Sequence, residues 1–278
     1  MIKRTAVLVV PAALALAACS SSGTGGGGTS VTSTTPPVKG AESAVGSSSR
    51  TSDSSSSRDA IRLSALLRSG LADVKTAHVD LNVAIAGQSI TGSGDEKLNN
   101  GKVEALRLTE NLTGLGSLEI IITGGKNYAK LPGGLNKTGK PYVLLSPNSS
   151  DPTIKSLATS LESTKSSASL DSVINFVTAA SSVKDAGTES VGSVATTHYT
   201  IVVDPTKLPS DFPQRSAIIS SGLTSIPVEL YLDGHGRPVQ VTEKITVQGR
   251  SVSTKVTTSK YNQPVAITAP PASQVGTL

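Results

Sequence analysis

Apolar and polar residues alternate along several segments of this 278-residue chain, and this pattern restricts its fold more than any other feature. In 78–86 every second residue is a valine, leucine or isoleucine, and the alternation recurs at Ile226, Val228, Leu230 and Leu232. A strand with this period has one apolar and one polar face, so each segment predicts a half-buried strand. Weaker alternation between turn residues predicts further strands over 90–97, 103–112, 117–123, 127–131, 188–204, 239–247 and 251–261.

Other segments have helical periodicity. Apolar residues from Ile61 to Val74 recur three and four positions apart, and Ser57 is the predicted N-terminal cap of that helix. Asp151-Pro152 starts a second predicted helix, 170–177 forms a third, and the proline-rich stretch 205–222 predicts a helical excursion. Because short turns join successive strands, the prediction is an α+β fold in which an antiparallel sheet carries its helices on one face.

Cys19 is the single cysteine of the chain, and it follows a basic start, a short apolar run and the tripeptide Leu-Ala-Ala. This order is typical of a secretory signal, and the apolar run is well short of the roughly 20 residues that cross a bilayer. A cysteine in this position matches the bacterial lipobox. We therefore predict a signal peptide over 1–18 and a palmitate-type acyl anchor on Cys19, at the extracytoplasmic face of the cell membrane. The alternative is a buried core cysteine.

The segment 20–57 consists almost entirely of serine, glycine, threonine and proline. Such a composition cannot bury enough apolar surface to offset its ordering entropy, so we predict that residues 19–57 form a lipidated, disordered tether. A glycine- and serine-rich chain of this length spans on the order of 35 Å. The remaining residues, 58–278, are predicted to form a single domain.

Charge and composition argue against two classes of function. The formal net charge of +5 is dispersed and aromatic residues make up only 3%, so a nucleic-acid surface is not expected. The three histidines stand apart, neither a Gly-x-Ser-x-Gly nor a His-Glu-x-x-His pattern occurs, and the acidic residues are expected on strand exteriors and turns. We therefore predict no enzyme, no metal site and no cofactor.

Several segments together resemble a known family. These are the lipobox, the tether, Ala77-His78-Val79-Asp80-Leu81, the block 226–233, and the ending 261–271. The chain resembles the LppX/LprG-type lipoproteins of actinobacteria, whose fold is similar to that of the LolA/LolB lipoprotein carriers. The resemblance implies a curved antiparallel half-barrel with helices over its concave face. It also implies a hydrophobic cavity between sheet and helices that takes the acyl chains of a lipid or lipoglycan.

With that implication, the inward apolar positions become candidates for the cavity wall. An acyl-chain site needs a concave aliphatic wall with few polar groups, but the same alternation also specifies a filled core. The predicted cavity residues are Val79, Leu81, Val83, Ile85, Leu106, Leu108, Ile120, Ile122, Val173, Val177, Val228, Leu230 and Val241.

Two functions remain open at this point. The first is a monomeric lipoprotein that binds lipid and carries or presents it in the cell envelope, with an envelope transporter as a candidate partner. The second is an interaction or sensor module with the same fold, a filled interior and no lipid ligand.

Overall fold

The computed structural model describes residues 49–85, 88–114, 116–132, 134–167, 170–212, 215–247 and 249–277. The predicted signal peptide, Cys19 and the tether as far as residue 48 lie outside the described residues. The α-helices are α1 (Ser49–Leu71), α2 (Pro152–Ser167), α3 (Leu170–Thr178) and α4 (Arg215–Ser220). The strands are β1 (Thr76–Ile85), β2 (Gln88–Asn99), β3 (Lys102–Leu112), β4 (Gly116–Thr123), β5 (Lys126–Lys130), β6 (Tyr142–Leu145), β7 (Ala180–Val191), β8 (Val194–Val203), β9 (Ile226–Leu232), β10 (Pro238–Val247), β11 (Arg250–Ser259) and β12 (Val275–Gly276).

The described strands form one open, curved 12-stranded sheet in the order β12-β6-β5-β4-β3-β2-β1-β11-β10-β9-β8-β7. Hairpins account for most neighbours, and the pairing of β1 with β11 joins an N-terminal and a C-terminal series of strands. The predicted α+β class and the helices on the concave face are confirmed. The expectation of a purely antiparallel sheet is wrong at one edge, where β12 pairs with β6 in parallel. That strand returns from the distant C-terminus, so no hairpin constrains its direction.

Alternation gives the sheet two chemically different faces. Leu81 of β1 lies opposite Val256 of β11 on one side and Gly92 of β2 on the other. The same row continues through Val241 of β10 to Leu230 of β9. Cross-strand partners share a face, so we call the face of Leu81 and its partners the inner face. The opposite face, which carries Asp80 and its partners, is the outer face.

The helices cover the inner face as two separate groups. Under α1, α3 and α4 lies the larger hydrophobic cluster, which includes Leu67, Val177, Ile218, Leu230 and Leu232. Under α2 lies a second cluster, in which Ile154, Leu157, Ala158 and Leu161 of the helix pack on strands β3 to β6. We call these the large cluster and the α2 cluster.

The first helix begins earlier than its sequence predicts. The expected cap at Ser57 is wrong, because α1 already starts at Ser49 and the last part of the predicted tether is helical. Once a helical turn exists, each added residue gains one backbone hydrogen bond, and serine is only a few tenths of a kcal/mol poorer than alanine in helix propensity. The buried turns from Ala60 to Leu71 can therefore extend a helix into the serine-rich sequence before them.

The predicted start of α2 is confirmed. A side-chain oxygen of Asp151, Oδ1, accepts hydrogen bonds from the backbone N–H groups of Thr153 at 2.8 Å and Ile154 at 3.2 Å. Pro152 occupies the first helical position, where its missing N–H costs no hydrogen bond. These bonds stabilise the Asp151 carboxylate and hold its pKa below its usual value, with a further contribution from Lys137. This local signal fixes where the helix over the α2 cluster begins.

The C-terminal segment crosses the outer face. Ile267 packs with Ala105, Ile121 and Tyr128, which are outer-face residues of β3, β4 and β5. Near its start, the Oδ1 atom of Asn262 accepts a 2.7 Å hydrogen bond from the backbone N–H of Lys75. The segment therefore forms a small second layer on the outer side of the sheet.

Candidate functional site

Every predicted cavity residue on a strand lies on the inner face. The register of β1 places Val79, Leu81, Val83 and Ile85 on one side, and their partners lead across the sheet to the other candidates. The remaining inner-face strand candidates are Leu106, Leu108, Ile120, Ile122, Val228, Leu230 and Val241. In α3, Val177 is part of the large cluster, and Val173 packs against that cluster. The structure therefore brings all the candidates beneath or between the helices.

The candidates divide into three groups. Leu106, Leu108, Ile120 and Ile122 belong to the α2 cluster. Val177, Val228 and Leu230 belong to the large cluster, and Val173 and Val241 lie at its margin. The β1 candidates Val79, Leu81, Val83 and Ile85 belong to neither cluster.

These β1 residues lie on the central strands, between the two helix-covered clusters. Leu81 and Val83 are 4% and 0% exposed, so they are buried, and Val252 of β11 opposite Ile85 is buried as well. We call Val79, Leu81, Val83, Ile85 and Val252 the central seam. The large cluster and the α2 cluster meet at Val103 of β3, a half-buried residue that packs against both.

Carboxyl groups also occupy the inner face. Glu110 of β3 is completely buried opposite Gly92, and both of its carboxyl oxygens have no hydrogen-bond partner among the described residues. Glu96 of β2 is 3% exposed, and Glu243 of β10 is opposite Thr254 in the row of Val83. Burial raises the pKa of each of these three carboxyls to about 7 by removing water from the charged form.

The expectation that acidic residues lie only on strand exteriors and turns is therefore wrong at Glu96, Glu110 and Glu243. A signal was present in the sequence, because Glu110 continues the inward series of Leu106 and Leu108 toward Leu112. A carboxyl at an inward position of an alternating strand is itself the unusual feature. On the otherwise aliphatic inner face, these three carboxyl groups can form hydrogen bonds with a polar part of a ligand.

Two depressions open on the other side of the sheet. One of about 730 Å³ lies between the β7–β8 turn and strands β9 to β11, and its lining includes Tyr231, Gln240, Lys255 and Arg237. A second of about 320 Å³ runs along β11, β1, β2 and β3. Both have many polar lining residues from the outer face, and of the predicted cavity residues only Leu81 contributes to either.

The outer-face histidines contact carboxylates. In His78, Nδ1 lies 2.6 Å from Oδ1 of Asp95 on the neighbouring strand. In His198, Nε2 lies 2.5 Å from Oε2 of Glu229, and its ring stacks on Tyr231 with centroids 4.3 Å apart. These contacts join neighbouring strands across the outer face.

Metal-binding clusters and membrane-spanning helices are both absent from the described ranges. There, no group of three or more histidine, cysteine, aspartate or glutamate residues is arranged to hold a metal ion. Among the helices that the structure describes, none combines the length and the apolar character needed to cross a membrane.

No protein-family model matches the chain, and the comparison with curated proteins finds no match. Among solved structures, the lipoprotein LppX of Mycobacterium tuberculosis is similar over 75% of this chain and 99% of its own, at 16% identity and a TM-score of 0.48. LprF of Mycobacterium bovis is similar over 77% of this chain and 98% of its own, at 14% identity and a TM-score of 0.49.

A third similar structure is a putative outer membrane lipoprotein-sorting protein domain of Vibrio parahaemolyticus. It covers 77% of this chain and 95% of its own, at 14% identity and a TM-score of 0.28. These structures are of the LppX and LolA-like types that the sequence resembles, and the similarity concerns the fold alone.

Proposed function

We propose that this protein is a non-enzymatic lipoprotein of the cell envelope that binds the acyl chains of a lipid or lipoglycan at the central seam. In this proposal acylated Cys19 anchors the protein to the extracytoplasmic face of the membrane, and the domain carries or presents its lipid there. The observation that carries the proposal is the seam itself: buried and half-buried aliphatic residues of β1 and β11 that belong to neither helix-covered cluster.

The way the helices pack supports entry of a chain along the seam. Helix α1 packs against α3 and β7, whereas α2 contacts β6 at the other end of the sheet. Because the seam belongs to neither helix-covered cluster, an acyl chain laid along it would leave the helix contacts of both clusters in place. The chain would contact the seam residues, and each of its methylenes taken from water would contribute roughly 0.8 kcal/mol.

Glu110 supplies a polar group next to this apolar path. Its row on the inner face runs through Gly92 to Leu81 of the seam, and neither of its carboxyl oxygens has a hydrogen-bond partner in the described protein. A protonated carboxyl both donates and accepts hydrogen bonds. A hydroxyl, ester or amide of the ligand would satisfy a group that is costly to bury without a partner.

Native mass spectrometry with lipid extraction tests this function. The chain from residue 19, with Cys19→Ser to remove the acylation site, retains every described helix and strand and is purified without detergent. We expect a bound mass that disappears on organic extraction and returns when the extracted lipid is added back. A mass equal to that of the bare chain, unchanged after incubation with host lipids, would contradict lipid binding.

A further inference from the structure

Helix α1 has a surface that the large cluster does not use. Ala60, Leu63, Leu67 and Leu71 point into the large cluster and are buried. On the side of the helix turned away from them, Ile61 is 66% exposed, the highest value among the exposed large hydrophobic residues of the described chain. This side chain therefore lies on an outward surface with no role in holding the helix to the sheet.

Arginines surround this exposed isoleucine. Residues three, four and seven positions apart share a helix face, so Arg58, Ala65 and Arg68 lie beside Ile61. Arg62 lies next to Arg58 and Ala65 on the adjoining side of the helix, and all four residues are exposed. We call these five residues the α1 stripe.

One acidic residue lies at the edge of the stripe. Within 56–71 this is Asp59, which lies with Leu66 on the side of the helix beyond Arg62 and away from Ile61. Leu66 faces the β9–β10 turn, where its side chain would contact a Cβ placed on Gly236. The stripe therefore carries one exposed isoleucine and three arginines, with a single acidic residue at its edge beside Arg62.

This combination fits an anionic lipid surface. Arginine can extend its aliphatic stem along apolar surface while its guanidinium reaches lipid phosphate, and an isoleucine between such residues can enter the interface. Each basic residue near an anionic leaflet raises the affinity for the membrane about fivefold.

The position of α1 in the chain agrees with this partner. It is the first element that the structure describes, and the preceding residues lead to the predicted anchor at Cys19. The predicted tether would keep the stripe at a high local concentration near the membrane, so weak docking would be effective.

We propose that the α1 stripe docks the domain onto the anionic surface of the membrane. Docking would lay α1 along the lipid headgroups, with α3 and β7 directly behind it. It would give the domain a defined orientation on the membrane. The proposal does not depend on whether the central seam holds a lipid.

Vesicle co-sedimentation tests this docking with the chain from residue 19 that carries Cys19→Ser. The vesicles contain either phosphatidylcholine alone or phosphatidylcholine mixed with phosphatidylglycerol. We expect binding to the anionic vesicles that weakens as salt is added. Ile61→Ser should lower it about tenfold through lost apolar burial, and Arg62→Glu should lower it at least about fivefold.

Matched controls come from the outer face of the sheet. Val202 is 37% exposed on β8, and Lys130 is exposed on β5. Val202→Ser and Lys130→Glu make the same kinds of change away from the stripe, so they should leave vesicle binding within about twofold of the unchanged chain. Circular dichroism and thermal unfolding confirm that each variant is folded before it is compared.

Three results would overturn the proposal. The first is equal binding to both kinds of vesicle, and the second is anionic binding that neither Ile61→Ser nor Arg62→Glu reduces. The third is a dimer, detected by analytical ultracentrifugation, that Ile61→Ser dissociates, because the stripe would then be an interface between two copies of this chain.

Discussion

Glu110 lies on the inner face of β3, fully buried, with both carboxyl oxygens unpartnered among the described residues. Its pKa rises from 4.5 to about 7 because burial removes water from the charged form. In the unfolded chain the carboxyl ionises near its ordinary pKa, so the folded state holds more protons between these two values. Stability therefore falls as pH rises through this window and levels off above it.

Replacing Glu110 should flatten this pH dependence. Glu110→Gln removes its contribution, on the order of 3 kcal/mol of unfolding free energy between about pH 4 and pH 8. Urea unfolding at a series of pH values measures it. The unfolding free energy of the variant should still decrease somewhat as pH rises, because Glu96 and Glu243 also have pKa values raised to about 7.

The matched control for Glu110 is Glu104 of the same strand, which is exposed. Glu104→Gln also removes one carboxyl, but it should leave the slope unchanged because water already solvates that group. Identical slopes for the Glu110→Gln variant and the unchanged chain would contradict a desolvated carboxyl at position 110.

At the scale of elements, two inner-face glycines of β2 show how closely β2 and β3 approach. A Cβ on Gly94 would overlap the carbonyl oxygen of Arg107 and lie 2.8 Å from Cα of Leu108. A Cβ on Gly92 would meet Cγ of Glu110 at 3.4 Å, which is an ordinary contact. The first glycine is therefore required by the pairing of the strands and the second is not.

Alanine substitutions should distinguish the glycine that the strand pairing requires from the one that it does not require. Gly94→Ala should lower the free energy of unfolding by about 2–3 kcal/mol, since backbone atoms must move. Gly92→Ala should be neutral or stabilise by roughly 0.5 kcal/mol, because alanine restricts the unfolded chain. Denaturant unfolding of the two variants side by side measures the difference, and equal stabilities would contradict the close approach at Gly94.

The C-terminal segment is a second element whose packing can be tested. Ile267 is buried against Ile121 and Tyr128 on the outer face, whereas the neighbouring Thr268 is exposed. Ile267→Ala should destabilise the fold by about 2–4 kcal/mol through lost burial and the cavity left behind. Thr268→Ala is the control and should change stability by less than about 0.5 kcal/mol. If both variants unfold at the same urea concentration, the segment does not pack on the sheet as described.

For the molecule as a whole, two buried inner-face residues distinguish the seam from a packed cluster. Val83 belongs to the central seam, while Ile122 lies in the α2 cluster beneath its helix. In the proposed function, Val83→Trp should abolish uptake of a fluorescent fatty acid and leave a folded protein, because the indole would occupy the proposed path of the acyl chain along the seam. Ile122→Trp should lower stability by about 3 kcal/mol or more by overpacking the α2 cluster.

Fatty-acid fluorescence and urea unfolding are measured on both variants. Normal uptake by folded Val83→Trp protein would argue against the seam as the lipid site. If Val83→Trp protein instead loses its fold as Ile122→Trp protein does, the seam is part of a filled core, and the interaction-module alternative is favoured.

The sequence alone determined the features that depend on residues close together in the chain. Alternation in 78–86 and 226–232 assigned their valines, leucines and isoleucines to one face of the sheet, and Asp151-Pro152 set the start of α2. Such features could be predicted because the period of a strand and the cap of a helix involve only neighbouring residues. The start of α1 was missed, since its extension from Ser57 back to Ser49 depends on buried turns further along the helix.

Only the tertiary structure decided which distant segments meet. It paired β1 with β11, divided the inner face into the large cluster and the α2 cluster, and laid the C-terminal segment across the outer face. It also buried Glu110, whose sequence position marks it as inward but not as unpartnered. The physical reason is that one alternating pattern suits any face that is removed from water. What covers that face, and whether the covering leaves a seam, depends on contacts between residues far apart in the chain.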